Sequence, residues 1–541
     1  MNALSGTAAL TRLALRRDRF SLPAWILGLT AFAAATTALW ANDFRNPTAD
    51  LVQETHITAT NPGIRMLGLA SGPTVGAYAM VRDYLLLAVL AALMSIFAVV
   101  RHTRQSEETG RAELIGAAVV GRFASLAATL IVTVVANAVL AVLLGLGLMA
   151  AGQPAGGSLT AGAAVAAVGI SFAGVAAVTT QLASSTRAAS GLAAAVLGIA
   201  FLTSGIGNMA GNADPSGLRV NSAWPAWLSP IGWGQQMRPF GGNHWWPLAL
   251  VAALVIACVG TAVMLAARRD FGQGLLPQRP GHARAGRVLR GPFGLAWRLQ
   301  RGAFIGWAVG MLGFGFVMGG LIGQVKNSTG AARDWYTQMG GSEQILDAYR
   351  ASVLQMAGMA AAIYAVQVLL RMRAEEADGP LEQILSTAVS RFRWAAGHAA
   401  TAVLGSAALL LLFAIGTGIA AGGVLGDRGG QVRVLLGAAL VQLPAILVVS
   451  AVVIAAVGLT PRFAGPVSWA LLLGFILIGP LFGPNLKLPQ WLQDVSPFTH
   501  IPKAPAVPVT AAPVLALTTA FTVLALAGLI SLRHRNLTLP A

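Results

Sequence analysis

Twelve apolar runs divide this chain, and each is about as long as a bilayer is thick. They fall at about 22–41, 84–100, 123–150, 159–182, 189–210, 247–267, 302–323, 353–370, 395–422, 434–458, 465–483 and 511–532. A helix crossing the hydrocarbon layer needs roughly 20 such residues. Charged residues make up only 10% of the chain, against about 25% in a soluble protein. That deficit leaves too little charge for a water-facing surface, so the expected class is an all-α polytopic membrane protein with twelve transmembrane helices.

The net charge of +17 raises nucleic acid as a partner, but its distribution argues against that. With both termini placed inside, the inner segments hold 24 of the 36 Lys and Arg and 9 of the 19 Asp and Glu, and the outer segments hold the remaining 12 and 10. This is the positive-inside bias. Clusters such as Arg16–Arg17–Arg19 and Arg268–Arg269 then serve topology and contact with anionic lipid. The N-terminus does not resemble a cleavable signal, because its apolar run is of full span length and no A-x-A site closes it. The single Cys258 forms no internal disulfide and no metal cluster. Only Lys326, Lys487 and Lys503 are lysines among the basic residues. With abundant Ala and Gly, that bias points to a GC-rich genome such as an actinobacterial one.

A charged motif occurs twice at one offset. Arg104-x-x-Glu107-x-x-Gly110-x-x-Glu113 returns as Arg373-x-x-Glu376-x-x-Gly379-x-x-Glu382, and the same 269-residue offset carries Arg122 onto Arg391. Earlier, Leu13, Arg16, Arg19, Trp25 and Gly28 return as Leu295, Arg298, Arg301, Trp307 and Gly310. Later, Ser229-Pro230 answers Ser496-Pro497. The chain therefore reads as two fused, parallel six-helix repeats. The first half is 1–270, a Pro- and Gly-rich linker occupies 271–284, and the second half is 285–541. Each half opens on a basic amphipathic elbow helix in the interface plane, at about 7–20 and 285–301. Long outer loops are expected at about 42–83, 211–246 and 324–352. The second carries Trp224, Trp227, Trp233, Trp245 and Trp246, which suits an aromatic belt or a helical cap over an exit path.

Within the motif, Arg104 faces Glu107 and Glu108, and Glu107 faces Arg111, at helical spacings. Gly110 then interrupts, and Glu113 opens a short apolar helix. Gly379-Pro380 punctuates the second copy at the same point, where Pro suits a first helical turn. Leu114–Ile115 and Ile384–Leu385 give each short helix an apolar face for a partner groove.

Several chemistries lack their residues. No Asp, Glu, Lys or Arg falls within an expected span core, so a proton-driven carrier has no evident acid. His398, at the start of the ninth span, is the nearest candidate and reads as an interfacial structural residue. No Walker A loop, metal-ligand set or G-x-S-x-G elbow is present, so no catalytic and no metal residues are assigned. Gly426-Asp427-Arg428-Gly429-Gly430 reads as a turn. Gly315, Gly319 and Gly323 line one face of the seventh span, and Gly418 and Gly422 sit in the ninth, as close packing requires. A path for an amphipathic compound is expected between the halves. Asn137, Gln181, Asn208, Gln355, Gln367 and Gln442 are its candidate lining, although such residues also bond neighbouring helices.

These features resemble ABC exporter permeases of the ABC-2 family, and most of all the large fused actinobacterial permeases described as exporters of polyketide antibiotics. The paired E-x-x-G-x-x-E segments carry the resemblance. So do the Arg-Arg-Asp-Phe-Gly-x-Gly-Leu-Leu-Pro-x-Arg-Pro-Gly run at 268–281 and Ser496-Pro497-Phe498-Thr499-His500-Ile501-Pro502. The resemblance implies that the motif segments are coupling helices docking on two copies of a separately encoded ATPase subunit, which would hold ATP and Mg. It assigns that role to Arg104, Glu107, Gly110 and Glu113, and to Arg373, Glu376, Gly379 and Glu382. Ala377-Asp378 stands where the first copy has Glu108-Thr109, so the docks need not be equivalent. A lipophilic antibiotic or drug-like cargo, export across the cell membrane, cytoplasmic termini and no cofactor in this chain follow as expectations. The rivals are a proton-coupled multidrug antiporter and an integral membrane enzyme such as a lipid-linked glycosyltransferase.

Overall fold

The structure, a computed structural model, describes residues 3–43, 47–60, 62–270, 272–276, 286, 291–325, 345–377, 379–481 and 488–536. The described residues are nearly all helical and form two compact units, Met1–Pro280 and Gly281–Ala541. Among the described residues eleven helices are long and apolar enough to cross a membrane, as expected of a multi-pass membrane protein. Most of the linker expected at 271–284, the start of the second elbow, Asp378, and 326–344 of the third outer loop lie outside the described residues.

In the first unit the helix Ala155–Leu182 is the most buried, and it packs against Val75–His102, Ala124–Ala150 and Pro247–Arg268. Its Gly and Ala residues permit this. A Cβ on Gly162 would stand 2.1 Å from the Ala141 carbonyl oxygen, so only Gly lets those backbones approach. The Trp-rich segment forms a compact cap: a short hairpin pairing Asn212–Ala213 with Val220–Asn221, a 3₁₀ turn Trp224–Leu228 and the helix Pro230–Gln236. Trp227 stacks on Trp246 at 5.2 Å. Ser229 Oγ accepts from Ile231 N–H and Gly232 N–H and donates to the Ala200 carbonyl at 2.6 Å.

In the second unit Pro292–Gly320 packs along Arg391–Leu425, and Leu443–Leu459 along Ala511–His534. The glycines expected at a close seam are there. Cβ atoms on Gly315 and Gly319 would stand 2.4 and 2.2 Å from the Phe413 and Thr417 carbonyl oxygens. Gly418 and Gly422 serve the next seam, against Val432 and Arg428. The expected turn at 426–430 is present: Gly426 closes one helix at φ 82°, and Asp427 caps the next by accepting from Gly430 N–H.

Three sequence expectations need correction. The eleventh run, 465–483, gives only the short helix Ala464–Ile476. Gly479 leaves helical geometry, and Pro480 follows it; proline disfavours the helical conformation in the residue before it. The second span begins nine residues early, at Val75, because Thr74 Oγ1 caps Ala77 N–H. Arg82 and Asp83 therefore lie inside a spanning helix, not in an outer loop. The first elbow, Thr7–Arg17, is a separate helix, but residues 292–301 run unbroken into the span Pro292–Gly320. Pro23 explains the difference: it has no N–H to continue a helix through residues 18–20, and its counterpart in the second unit is Ile305. The tenth run stands as expected, within the single candidate span Arg428–Leu459, which holds a 3₁₀ turn at Leu440–Gln442.

Candidate functional site

Each motif folds as helix, break, short helix. Arg104–Glu108 is followed by Gly110 at φ +72° and then Arg111–Gly116; Arg371–Ala377 is followed by Gly379 at φ +92° and then Pro380–Leu385. Both glycines occupy left-handed backbone that other residues adopt only at a cost, which accounts for their place in the pattern.

The first acid of each motif is not free. Glu107 accepts from Arg104 Nη1 at 2.9 Å and is gripped by both terminal nitrogens of Arg269, at the end of the unit's last span. Arg269 Nε also donates to Gln181 Oε1 at 2.6 Å. Arg104 is fully buried and donates to the carbonyls of Thr180, Gly272 and Gln273. The start of the linker is thus fastened to the motif, and Leu275 and Leu276 N–H bond the ends of Ala155–Leu182.

The second unit has the same arrangement. Glu376, whose side chain is 2% exposed, accepts two bonds of 2.6 Å from Arg535, again just past the last span, and stands 3.6 Å from Arg373. The reverse grip is also doubled. Arg122 donates to the carbonyls of Ala266 and Ala267, and Arg391 to those of Leu532, Arg533 and Arg535. Each arginine bonds the exposed carbonyl end of a helix, where positive charge is favoured.

The second acids differ from the first. Glu113 and Glu382 lie exposed on the short helices. Beside Glu113, Leu114 is 79% exposed and Val119 76%. In the second unit Ile384 and Leu385 are half-buried and Leu381 is buried, so the two exposed surfaces are not alike. The expected Glu107–Arg111 pairing is replaced by Glu107–Arg269, and Glu108 accepts from Thr186 N–H at 3.0 Å.

Behind each motif lies a buried carboxylate–imidazole pair that the sequence patterns did not reveal. Asp18 accepts from Arg101 at 2.5 Å and contacts His102 Nε2 at 2.6 Å. In the second unit Glu375 accepts from Trp394 at 3.0 Å and lies 3.2 Å from His398 Nε2, while Gln300 sits on His398 Nδ1 at 3.1 Å. His398 is thus locked between two partners. Burial alone would raise the Asp18 carboxyl, but the hydrogen bonds and charge of His102 and Arg101 outweigh it and hold the group below the ordinary carboxylate range. A lowered folded-state value adds stability above the unfolded value of about 4, and that stability is lost as pH falls through the folded one. Asp18→Asn should therefore unfold earlier than wild type at neutral pH, with the gap closing below about pH 4. Thermal unfolding followed across that range checks this, and a gap independent of pH would count against it.

The six polar residues expected to line a path fall three in each unit. Asn137, Gln181 and Asn208 belong to the first unit; Gln355, Gln367 and Gln442 belong to the second. Asn137 donates to Ser95 Oγ and the Thr133 carbonyl, both at 2.9 Å. Gln181 serves the Arg269 clasp. Asn208 donates to Gln235 Oε1 at 2.7 Å and accepts from Ser222 at 2.7 Å, tying its span to the cap. Gln355 bonds the Phe498 carbonyl at 3.1 Å, and Trp307 bonds Gln367 at 2.8 Å. Gln442 is buried against Gly358. Among the described residues no group of His, Cys, Asp and Glu has the arrangement of a metal site.

Sequence comparison supplies what geometry does not. The family profile described as "Multidrug efflux system permease Rv1217c, C-terminal domain" matches residues 8–268 and 289–533. The multidrug efflux system permease protein Rv1217c of Mycobacterium tuberculosis strain H37Rv is 39% identical over 539 residues, covering 99% of this chain and 96% of that protein. The chain belongs to the family of the multidrug efflux system permease Rv1217c.

Proposed function

We propose that this protein is the membrane subunit of an ATP-driven ABC-2-type exporter that moves lipophilic, drug-like compounds out of the cell. Two copies of a separate ATPase subunit, carrying ATP and Mg, dock on the short helices Arg111–Gly116 and Pro380–Leu385. In this reading the molecule is two parallel six-helix repeats in the cell membrane, with its termini and both motifs on the cytoplasmic side. The name of the M. tuberculosis relative supports drug efflux and implies further components of an efflux system.

One observation carries the reading: each unit fixes its motif from behind through a clasp and leaves outside a short helix bearing an exposed Glu. Glu107 and Glu376 hold the element, and Glu113, Leu114 and Glu382 meet the partner. ATP-driven movement of the short helix passes through Arg269 or Arg535 into the last span, because the clasp is the polar tie joining them. Glu113→Lys with Glu382→Lys should reduce co-purification of the ATPase at least tenfold while leaving thermal stability unchanged, since both side chains are exposed. Undiminished capture would sink the docking assignment.

Proton-coupled antiport has one observation in its favour: Asp83 is buried in a spanning helix. Export that stops with an uncoupler while ATP stays high would select it.

A further inference from the structure

Asp83 is 7% exposed and faces the first span, near the end of its helix opposite the motif. Thr36 Oγ1 stands 2.8 Å from its Oδ2. The same hydroxyl lies 2.8 Å from the Phe32 carbonyl oxygen, and it has only one proton to give. An ionised carboxylate has about four acceptor positions. No ion pair reaches Asp83 among the described residues. The neighbouring Arg82 is turned elsewhere: its guanidinium lies 5.1 Å over the Tyr78 ring and 3.7 Å from Glu54. The Trp40 indole, edge-on to Tyr78 at 5.6 Å, lies beside Asp83 and directs its buried Nε1 toward the carboxylate. A buried acid without a direct ion pair within a span is costly, and such residues mark transport sites.

Along the same two helices runs an apolar groove of about 460 Å³, walled by Trp25, Gly28, Leu29, Phe32, Leu86 and Leu90. Phe32 is one helical turn from Thr36, and Leu86 is three residues from Asp83, so groove and carboxylate share one face of each helix. Phe32 and Leu86 are exposed, so the groove opens outward.

We infer that this groove and Asp83 form a seat for lipophilic cations. The inference rests on the reading of the chain as an exporter of lipophilic compounds, and it narrows the cargo. The apolar body lies along Trp25, Phe32 and Leu86. The positive charge meets the remaining acceptor positions of Asp83, with the Trp40 ring adding attraction for a cation. A neutral lipophile gains the groove but not the charge.

The test is equilibrium binding to the full chain in phosphatidylcholine nanodiscs, without ATPase or nucleotide. Tetraphenylphosphonium is the cationic probe and Nile red the neutral one. Tetraphenylphosphonium should bind saturably. Asp83→Asn should weaken it at least tenfold while Nile red changes less than twofold, and Asp83→Glu should retain most of the cation affinity. Phe32→Ala should weaken both probes. Absent tetraphenylphosphonium binding, undiminished binding in Asp83→Asn, or equal loss of both probes would overturn the inference. Because no ATPase is present, these outcomes are independent of the docking experiment, and failed docking would leave them standing.

Discussion

Arg535→Ala should lower the unfolding temperature by roughly 6–12 °C. The guanidinium supplies two 2.6 Å bonds to Glu376, whose side chain is 2% exposed. Without it the carboxylate keeps the longer, 3.6 Å ion pair with Arg373. Removing one partner of a buried pair costs about 3–5 kcal/mol, because the remaining charge stays out of water. We take the lower end, since Arg373 persists, and each kcal/mol moves the midpoint by about 2–4 °C for a unit of this size. The sign of a double substitution is diagnostic. Glu376→Gln with Arg535→Ala should be more stable than Arg535→Ala alone, since no buried charge is stranded. Thermal unfolding of the four proteins completes the cycle, and a strictly additive cycle would mean that the clasp transmits nothing. Arg269→Ala should have a smaller effect, because Glu107 keeps the 2.9 Å bond from the buried Arg104.

Gly319→Leu should destabilise the second unit by about 3 kcal/mol or more, at the upper end of overpacking costs. Its Cβ alone would stand 2.2 Å from the Thr417 carbonyl oxygen and 2.9 Å from Ala420 Cβ. The obstacle is backbone, so no rotamer change relieves it, and Pro292–Gly320 must move away from Arg391–Leu425. Gly315 meets the same neighbour one turn earlier, with its Cβ 2.4 Å from the Phe413 carbonyl oxygen. Separation of the helices would relieve both sites, so Gly315→Leu with Gly319→Leu should cost less than the sum of the single changes. Gly313 is exposed, with nothing within 4 Å of an added Cβ. Gly313→Leu should be neutral or stabilising by up to about 1 kcal/mol, from helix propensity. Denaturation of the four variants separates seam from surface, and equal losses at 313 and 319 would refute the seam.

The polar residues show how far pattern alone reaches. Spacing along one helix made Arg104–Glu107 legible, because partners three residues apart share a face. It could not yield Arg269–Glu107 or Arg535–Glu376, where the partners lie about 160 residues apart. The only available signal was the position of both arginines directly after a terminal apolar run. Asp83 was misplaced for a related reason. Hydropathy marks where apolar residues begin, whereas the helix begins where Thr74 caps it.

What the sequence determined by itself was the set of helices and their punctuation. Apolar run length, Gly110 and Gly379 act on the backbone within a few residues, so their effects are visible locally. What only tertiary structure decided was which charges are spent inside and which are left outside. Glu107 and Glu113, six residues apart in one motif, have opposite fates because the end of a distant span arrives against one and nothing in the described structure arrives against the other.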